Sequence, residues 1–218
     1  MNIGIDIDGV LLDFEREAVN LGTKMSVEEN WPIDIDLSAY WDIQIFNWND
    51  DQAKKFWDKY FIRYLTESPV REFAPEVIEK LQQEGDKIYL ITARNEEELP
   101  VEHYGKMKQL TKDWLKFHNI KYEKLIFVED KEKLPQCLEN DVAVMIEDSP
   151  SNIQNISKQI KVIKYDCQYN KEVNGKNIIT AYSWYHIYDI INKLKNNRQN
   201  AGLKRFIDSL YKNLNIKI

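Results

Sequence analysis

Asp6 and Asp8 stand two residues apart in IDIDGVLLDF, where a short apolar run gives way to a turn-forming glycine. Carboxylates held that close repel each other, so the pair either retains a proton or recruits a hard divalent cation with oxygen ligands. Alternation along an extended strand would put both on one side, and Gly9 lets the chain turn sharply or approach a ligand with its backbone. A second signal lies in KIYLITAR, where Thr92 and Arg94 end an apolar run. A hydroxyl, backbone amides and a guanidinium together suit phosphate oxygens. The third is VAVMIEDSPSNI, with Glu147 and Asp148 just before a helix that Ser149 can cap and Pro150 can start. Each signal alone has a plain alternative: an Asp-Gly turn, a solvent-facing Arg, acids that complement a helix dipole.

What must position these residues is a series of short, β-branched apolar runs separated by helical patterns, as buried strands of a parallel sheet read. The strands are predicted over 2–7, 87–92, 124–128, 142–146 and 160–165, with helices over 75–84, about 106–118, 133–139 and 150–158. This alternation predicts an α/β, Rossmann-like three-layer sandwich with right-handed crossovers. In such a sheet ligands bind at the carboxyl ends of the strands, where all three signals fall.

The first crossover is far longer than one returning helix requires, so an insert is predicted after the first strand. The stretch 21–70 is crowded with aromatics, and 50–65 has helical spacing with Phe56, Tyr60 and Tyr64 aligned. It reads as a small helical cap on a core formed by 1–20 and 71–195. Beyond Ser183 an amphipathic helix is predicted, then a polar break at 196–200 and a second helix within a C-terminal extension, 196–218.

The chain has 218 residues, 43% hydrophobic and 30% charged, which suits one folded core with an insert. A net charge of −6 opposes general affinity for duplex nucleic acid or anionic membrane. Cys137 and Cys167 are too few for a disulfide framework. With no signal peptide or membrane span in the pattern, the cytoplasm is the expected location.

Taken together and in this order, IDIDGV, ITAR and MIEDSP resemble the motifs of the haloacid dehalogenase (HAD) superfamily of phosphohydrolases. The resemblance covers about residues 1–15 and 70–165. It implies Asp6 as the nucleophile, forming an aspartyl-phosphate, and Asp8 as general acid and then base. It further implies Mg²⁺ held by Asp6, the backbone carbonyl of Asp8, and Asp148. Thr92 would hold the phosphoryl group, with Arg94 also on the substrate, and Glu147, where the superfamily usually has Asp, would orient the metal's waters. A phosphate-contacting lysine is also implied, with Lys133 favoured over Lys131 in VEDKEKLPQC.

The position and aromatic load of the cap resemble the 5′(3′)-deoxyribonucleotidase family and its bacterial nucleotidases. Trp41, Phe46, Trp48 and Trp57 are then candidates to stack on a nucleobase, a contact worth about 1–3 kcal/mol. A small helical insert also needs its own core, and aromatics supply one with few residues. Three readings follow: a phosphatase of nucleoside monophosphates, a phosphatase of sugar phosphates or other small metabolites, and a binding or regulatory protein without turnover. The expected partner is a small phosphorylated substrate, a nucleotide before a sugar phosphate, and self-association as a homo-oligomer is left open.

Overall fold

The computed structural model describes residues 1–40, 42–129 and 132–213, with side chains except at 42–43, 198–199 and 201–213. Among the described residues six strands, β1 (Asn2–Ile5), β2 (Lys87–Thr92), β3 (Lys124–Phe127), β4 (Val144–Glu147), β5 (Lys161–Tyr165) and β6 (Ile178–Ala181), form one parallel sheet in the order β3-β2-β1-β4-β5-β6. The chain moves outward from β1 to β3, then returns to the other side of β1 with β4. This reversal opens a crevice at the carboxyl ends of β1 and β4.

Side-chain alternation gives the sheet two apolar faces. Ile3, Ile5, Ile88, Leu90, Val144 and Ile146 turn to one face and join the core built with α4 (Ala74–Gln83), α5 (Met107–Phe117) and α8 (Trp184–Asn213). Tyr89, Ile91, Met145 and Val162 turn to the other, against α6 (Lys133–Glu139) and α7 (Pro150–Ile156). Gly4 belongs to this second face, where a Cβ would come within 2.6 Å of Met145 Sδ.

Between β1 and β2 lie α1 (Phe14–Glu29), α2 (Asp42–Ile45) and α3 (Asp50–Glu67). Asp13 caps α1 by accepting from Arg16 N at 3.2 Å, and α3 starts with a reciprocal Asn49–Gln52 capping box. These helices enclose their own cluster of Leu21, Met25, Ile45, Phe46, Trp48, Phe56 and Tyr60. Leaving and re-entering segments are tied together by a bridge between Leu12 and Val70 and by Arg71 N donating to Leu11 O at 2.7 Å.

The structure departs from the sequence reading in three places. β6 was not foreseen, because four residues, IITA, mostly half-buried, carry little apolar signal. The first inserted helix begins at Phe14, inside the segment assigned to the core. The backbone of α8 runs unbroken through 196–200, since Asn, Arg and Gln are ordinary helix residues and no proline interrupts them.

Candidate active site

Asp6 follows β1 by one residue and turns to the same face as Gly4, while Glu147, last in β4, turns to the same face as Met145. That face carries α6, whose first residue is Lys133. Its Nζ lies 2.8 Å from Asp6 Oδ2 and 3.0 Å from Glu147 Oε2, and only 2% of the lysine is exposed. Two carboxylates thus share one buried ammonium.

Asp148 follows immediately. Among the described residues, Asp6, Glu147 and Asp148 form the one acidic group suited to a cation, with one oxygen from each within 4.8 Å of the others. Burial, and then the neighbouring Glu147, pushes Asp6 well above the usual carboxylate range. Burial, and then Asp6, pushes Asp148 up to about 7. Burial lowers the affinity of Lys133 for its proton, but Asp6 and Glu147 more than offset this. Asp148 Oδ1 is buried without a hydrogen-bond partner. Three buried carboxylates, one of them with an orphaned oxygen, make a donor set that fits a hard divalent cation.

Asp8 lies near enough to Asp6 to raise its pKa further, but its own carboxylate is held by other partners. The strand ends at Ile5 and the chain turns at Gly9 with φ +79°, which directs Asp8 toward different partners. Arg94 Nε and Nη2 donate to its two oxygens at 2.8 and 2.7 Å, and the hydroxyl of Tyr64 on α3 donates to Oδ1 at 2.6 Å. Burial alone would raise Asp8, but Arg94, with Tyr64 and Lys133, outweighs it and holds the carboxyl below its ordinary value. Gly9 is required here, because a Cβ would lie 1.9 Å from Asp148 Oδ2.

Thr92 ends β2 and is buried, and its Oγ1 accepts from Arg94 N at 3.3 Å. Arg94, expected on the substrate, is bidentate to Asp8 in this structure, with Nη1 donating to Thr111 at 3.3 Å. Ser149 stands at the N-cap of α7 but makes no side-chain cap bond; its hydroxyl meets Ser151 at 3.1 Å.

The cap aromatics divide. Phe46, predicted to bind substrate, is 2% exposed, stacks on Trp48 at 4.5 Å and fills the space left by Gly22. In this structure the ring packs in the insert's own core, as does the buried Trp48. Trp57 is half-buried and lies 5.7 Å from Tyr64, one ring away from Asp8. Trp41 and Lys131 lie outside the described residues.

Sequence reading missed Tyr64, Tyr169 and Asn170. The Tyr169 hydroxyl donates to Asp148 Oδ2, and Asn170 Nδ2 donates to Asp148 O at 2.8 Å. Neither belongs to a recognisable pattern in CQYN, and only the parallel placement of β5 and β6 brings them to β4.

Residues 1–198 match the family model described as 5′ nucleotidase, deoxy (Pyrimidine), cytosolic type C protein. A nucleotidase of Clostridium acetobutylicum is 30% identical over 197 residues, covering 89% of this chain and 95% of its own. Among solved structures, a conserved haloacid dehalogenase-like protein of Agrobacterium tumefaciens superposes with a TM-score of 0.61 at 13% identity, covering 89% of this chain and 98% of that one. A HAD-superfamily hydrolase of Geobacter sulfurreducens gives 0.58 at 13% identity, covering 87% and 95%. These two show a shared fold. No described helix is long and apolar enough to cross a membrane.

Proposed function

Because the chain belongs to the family of deoxy (pyrimidine), cytosolic type C 5′ nucleotidases, which are phosphoric monoester hydrolases, we propose that it is a Mg²⁺-dependent phosphatase of nucleoside 5′-monophosphates acting through Asp6. The observation that carries this reading is Asp6 itself: a buried carboxylate at the sheet's crevice, paired to Lys133 and clustered with Glu147 and Asp148.

In this reading Asp6 Oδ attacks phosphorus, the ester P–O bond breaks, and an aspartyl-phosphate forms. Water then attacks that phosphorus, releasing phosphate and restoring Asp6. Lys133 keeps Asp6 oriented and offers positive charge to the phosphoryl oxygens as charge develops. Thr92, at the end of β2, is the hydroxyl assigned to the same group.

Asp8 would protonate the leaving oxygen and later accept the proton of the water. Arg94 occupies both Asp8 oxygens and keeps Asp8 ionised, so it must release them first, and the freed, buried carboxylate then takes up from solvent the proton it gives to the leaving oxygen. A phosphate is a suitable exchange partner, since a guanidinium binds either anion through two parallel hydrogen bonds. Arg94 thereby retains the substrate role read from the sequence.

Asp6, the backbone carbonyl of Asp8, and Asp148 would hold Mg²⁺, with Glu147 outside them. When bound, the ion lowers the repulsion between a carboxylate nucleophile and an anionic phosphate. We assign the helical unit to substrate selection, with Tyr64 on Asp8 and Trp57 one ring beyond it, and place the protein in the cytoplasm, where its two free cysteines remain reduced.

The test is phosphate release from a panel of nucleoside monophosphates and sugar phosphates with Mg²⁺, against EDTA and Asp6→Asn controls. Metal-dependent release from nucleotides, lost in Asp6→Asn, is the expected result. Release from sugar phosphates alone would remove the nucleotide assignment and keep the nucleophile. Equal activity of Asp6→Asn and the unsubstituted protein would overturn the mechanism.

A further inference from the structure

We propose that Tyr169 is a positioning residue for the carboxylate of Asp148, with Asn170 fixing the backbone beneath it. The inference rests on reading Asp148 as a Mg²⁺ ligand and extends it to a loop that none of the motifs contains.

The loop joins β5 to β6 and turns through a single 3₁₀ turn, Gln168–Asn170. It is anchored by buried polar contacts rather than by apolar packing alone. Asn170 is fully buried, and its amide Nδ2 donates to Asp148 O and to Tyr165 O, each at 2.8 Å. Its Oδ1 accepts from Cys167 N at 3.1 Å, and its backbone carbonyl accepts from the buried Lys164 Nζ at 3.0 Å. A buried amide with both donors and its acceptor engaged holds one orientation, because any other would leave polar groups unpaired. The carboxyl end of β4 and the loop are therefore one rigid piece.

On that base, Tyr169 reaches the carboxylate itself. Its hydroxyl donates to Oδ2 and leaves Oδ1, buried and unpartnered, as the oxygen available to a cation. The Tyr169 ring is held from the other side by Tyr40, edge-on at 5.0 Å and 71°. Gly9 lies on a further side, so close that even a methyl group would meet the carboxylate. Asp148 is thus confined by backbone, by Tyr169 and by the β1 turn. A ligand held in one geometry loses less freedom when the ion binds, and partners of this kind typically change metal affinity by about 10–100-fold.

The experiment is titration calorimetry of the full chain with MgCl₂, without substrate, for the unsubstituted protein, Tyr169→Phe and Asp148→Asn. Phenylalanine keeps the ring and its packing against Tyr40 while removing the hydroxyl. The expected result is a Mg²⁺ Kd at least about tenfold weaker in Tyr169→Phe, with a metal-free melting temperature lowered by no more than the loss of one buried hydrogen bond and with kcat recovered at saturating Mg²⁺. Unchanged Mg²⁺ affinity in Tyr169→Phe, alongside lost binding in Asp148→Asn, would overturn the positioning role and leave the metal reading intact. If the unsubstituted protein binds no Mg²⁺, or Asp148→Asn binds it equally well, the metal reading fails and this inference fails with it.

Discussion

Lys133 and Glu147 form an ion pair inside the protein, Nζ to Oε2 at 3.0 Å, and the same ammonium also meets Asp6. The lysine is therefore structural as well as chemical, since its single positive charge offsets part of the charge of two buried carboxylates.

Lys133→Met should destabilise the metal-free protein by about 3–5 kcal/mol, the cost of leaving a buried charge without its partner. Urea unfolding near neutral pH measures this. Adding Glu147→Gln to Lys133→Met should recover part of the loss by removing one of the two stranded charges. A fully additive double substitution would mean that the pair is not coupled.

Gly9→Ala should be costly for two reasons. Its φ of +79° is left-handed, a penalty of roughly 1–2 kcal/mol for a residue with a Cβ, and the new methyl would displace the Asp148 carboxylate. The expected outcome is a lower melting temperature together with weaker Mg²⁺ binding in calorimetry. Gly85→Ala is the control: it shares a positive φ but meets nothing within 4 Å, so only the melting temperature should fall.

Much of the sheet was legible because its strands are buried on both faces and read as short apolar runs, as in KIYLIT and VMIE. The acids and Thr92 were legible because they interrupt those runs at the carboxyl ends. Arg94 was visible, but its present partner was not, because pairing with Asp8 depends on where the chain turns after β1. Tyr64 and Tyr169 lie 56 and 21 residues from the carboxylates they contact. Such contacts follow from topology and leave no local spacing to read. Phe46 shows the opposite difficulty: helical inserts place aromatics in their own core and around ligands with the same residue types.

The two cap aromatics should separate under substitution. Phe46→Ala removes a buried ring and should cost about 3–5 kcal/mol of stability. Trp57→Ala, at a half-buried position, should cost less and should raise KM for nucleotides more than for a small aryl phosphate. Thermal unfolding and paired kinetics check this. Equal KM changes for both substrates would remove Trp57 from nucleoside recognition.

Both thiols should be inert in the folded protein. Burial pushes Cys137 and Cys167 up to about 12, whereas an unfolded thiol ionises near about 8.5. At mildly alkaline pH the native protein should react slowly with a disulfide reagent, and urea should expose two thiols. Because the folded form keeps these protons longer, their contribution to stability is full below the unfolded value and is lost as pH rises toward about 12. Rapid labelling of the native protein would contradict the burial.

The strap formed by Leu12 and Val70, with Arg71 reaching back to Gly9 O at 3.1 Å and Asp13 Oδ2 at 2.8 Å, closes the core before the inserted helices begin. Bridged residues on paired strands lie only about 4.5–5.5 Å apart. A chain lacking 14–68 would thus have its cut ends already side by side, and a few residues of linker would rejoin them. The length of the helical unit is in this sense free to vary while the register of β1 against β2 stays the same, provided that the end of α3 keeps Phe61, Tyr64 and Leu65 in the sheet's core.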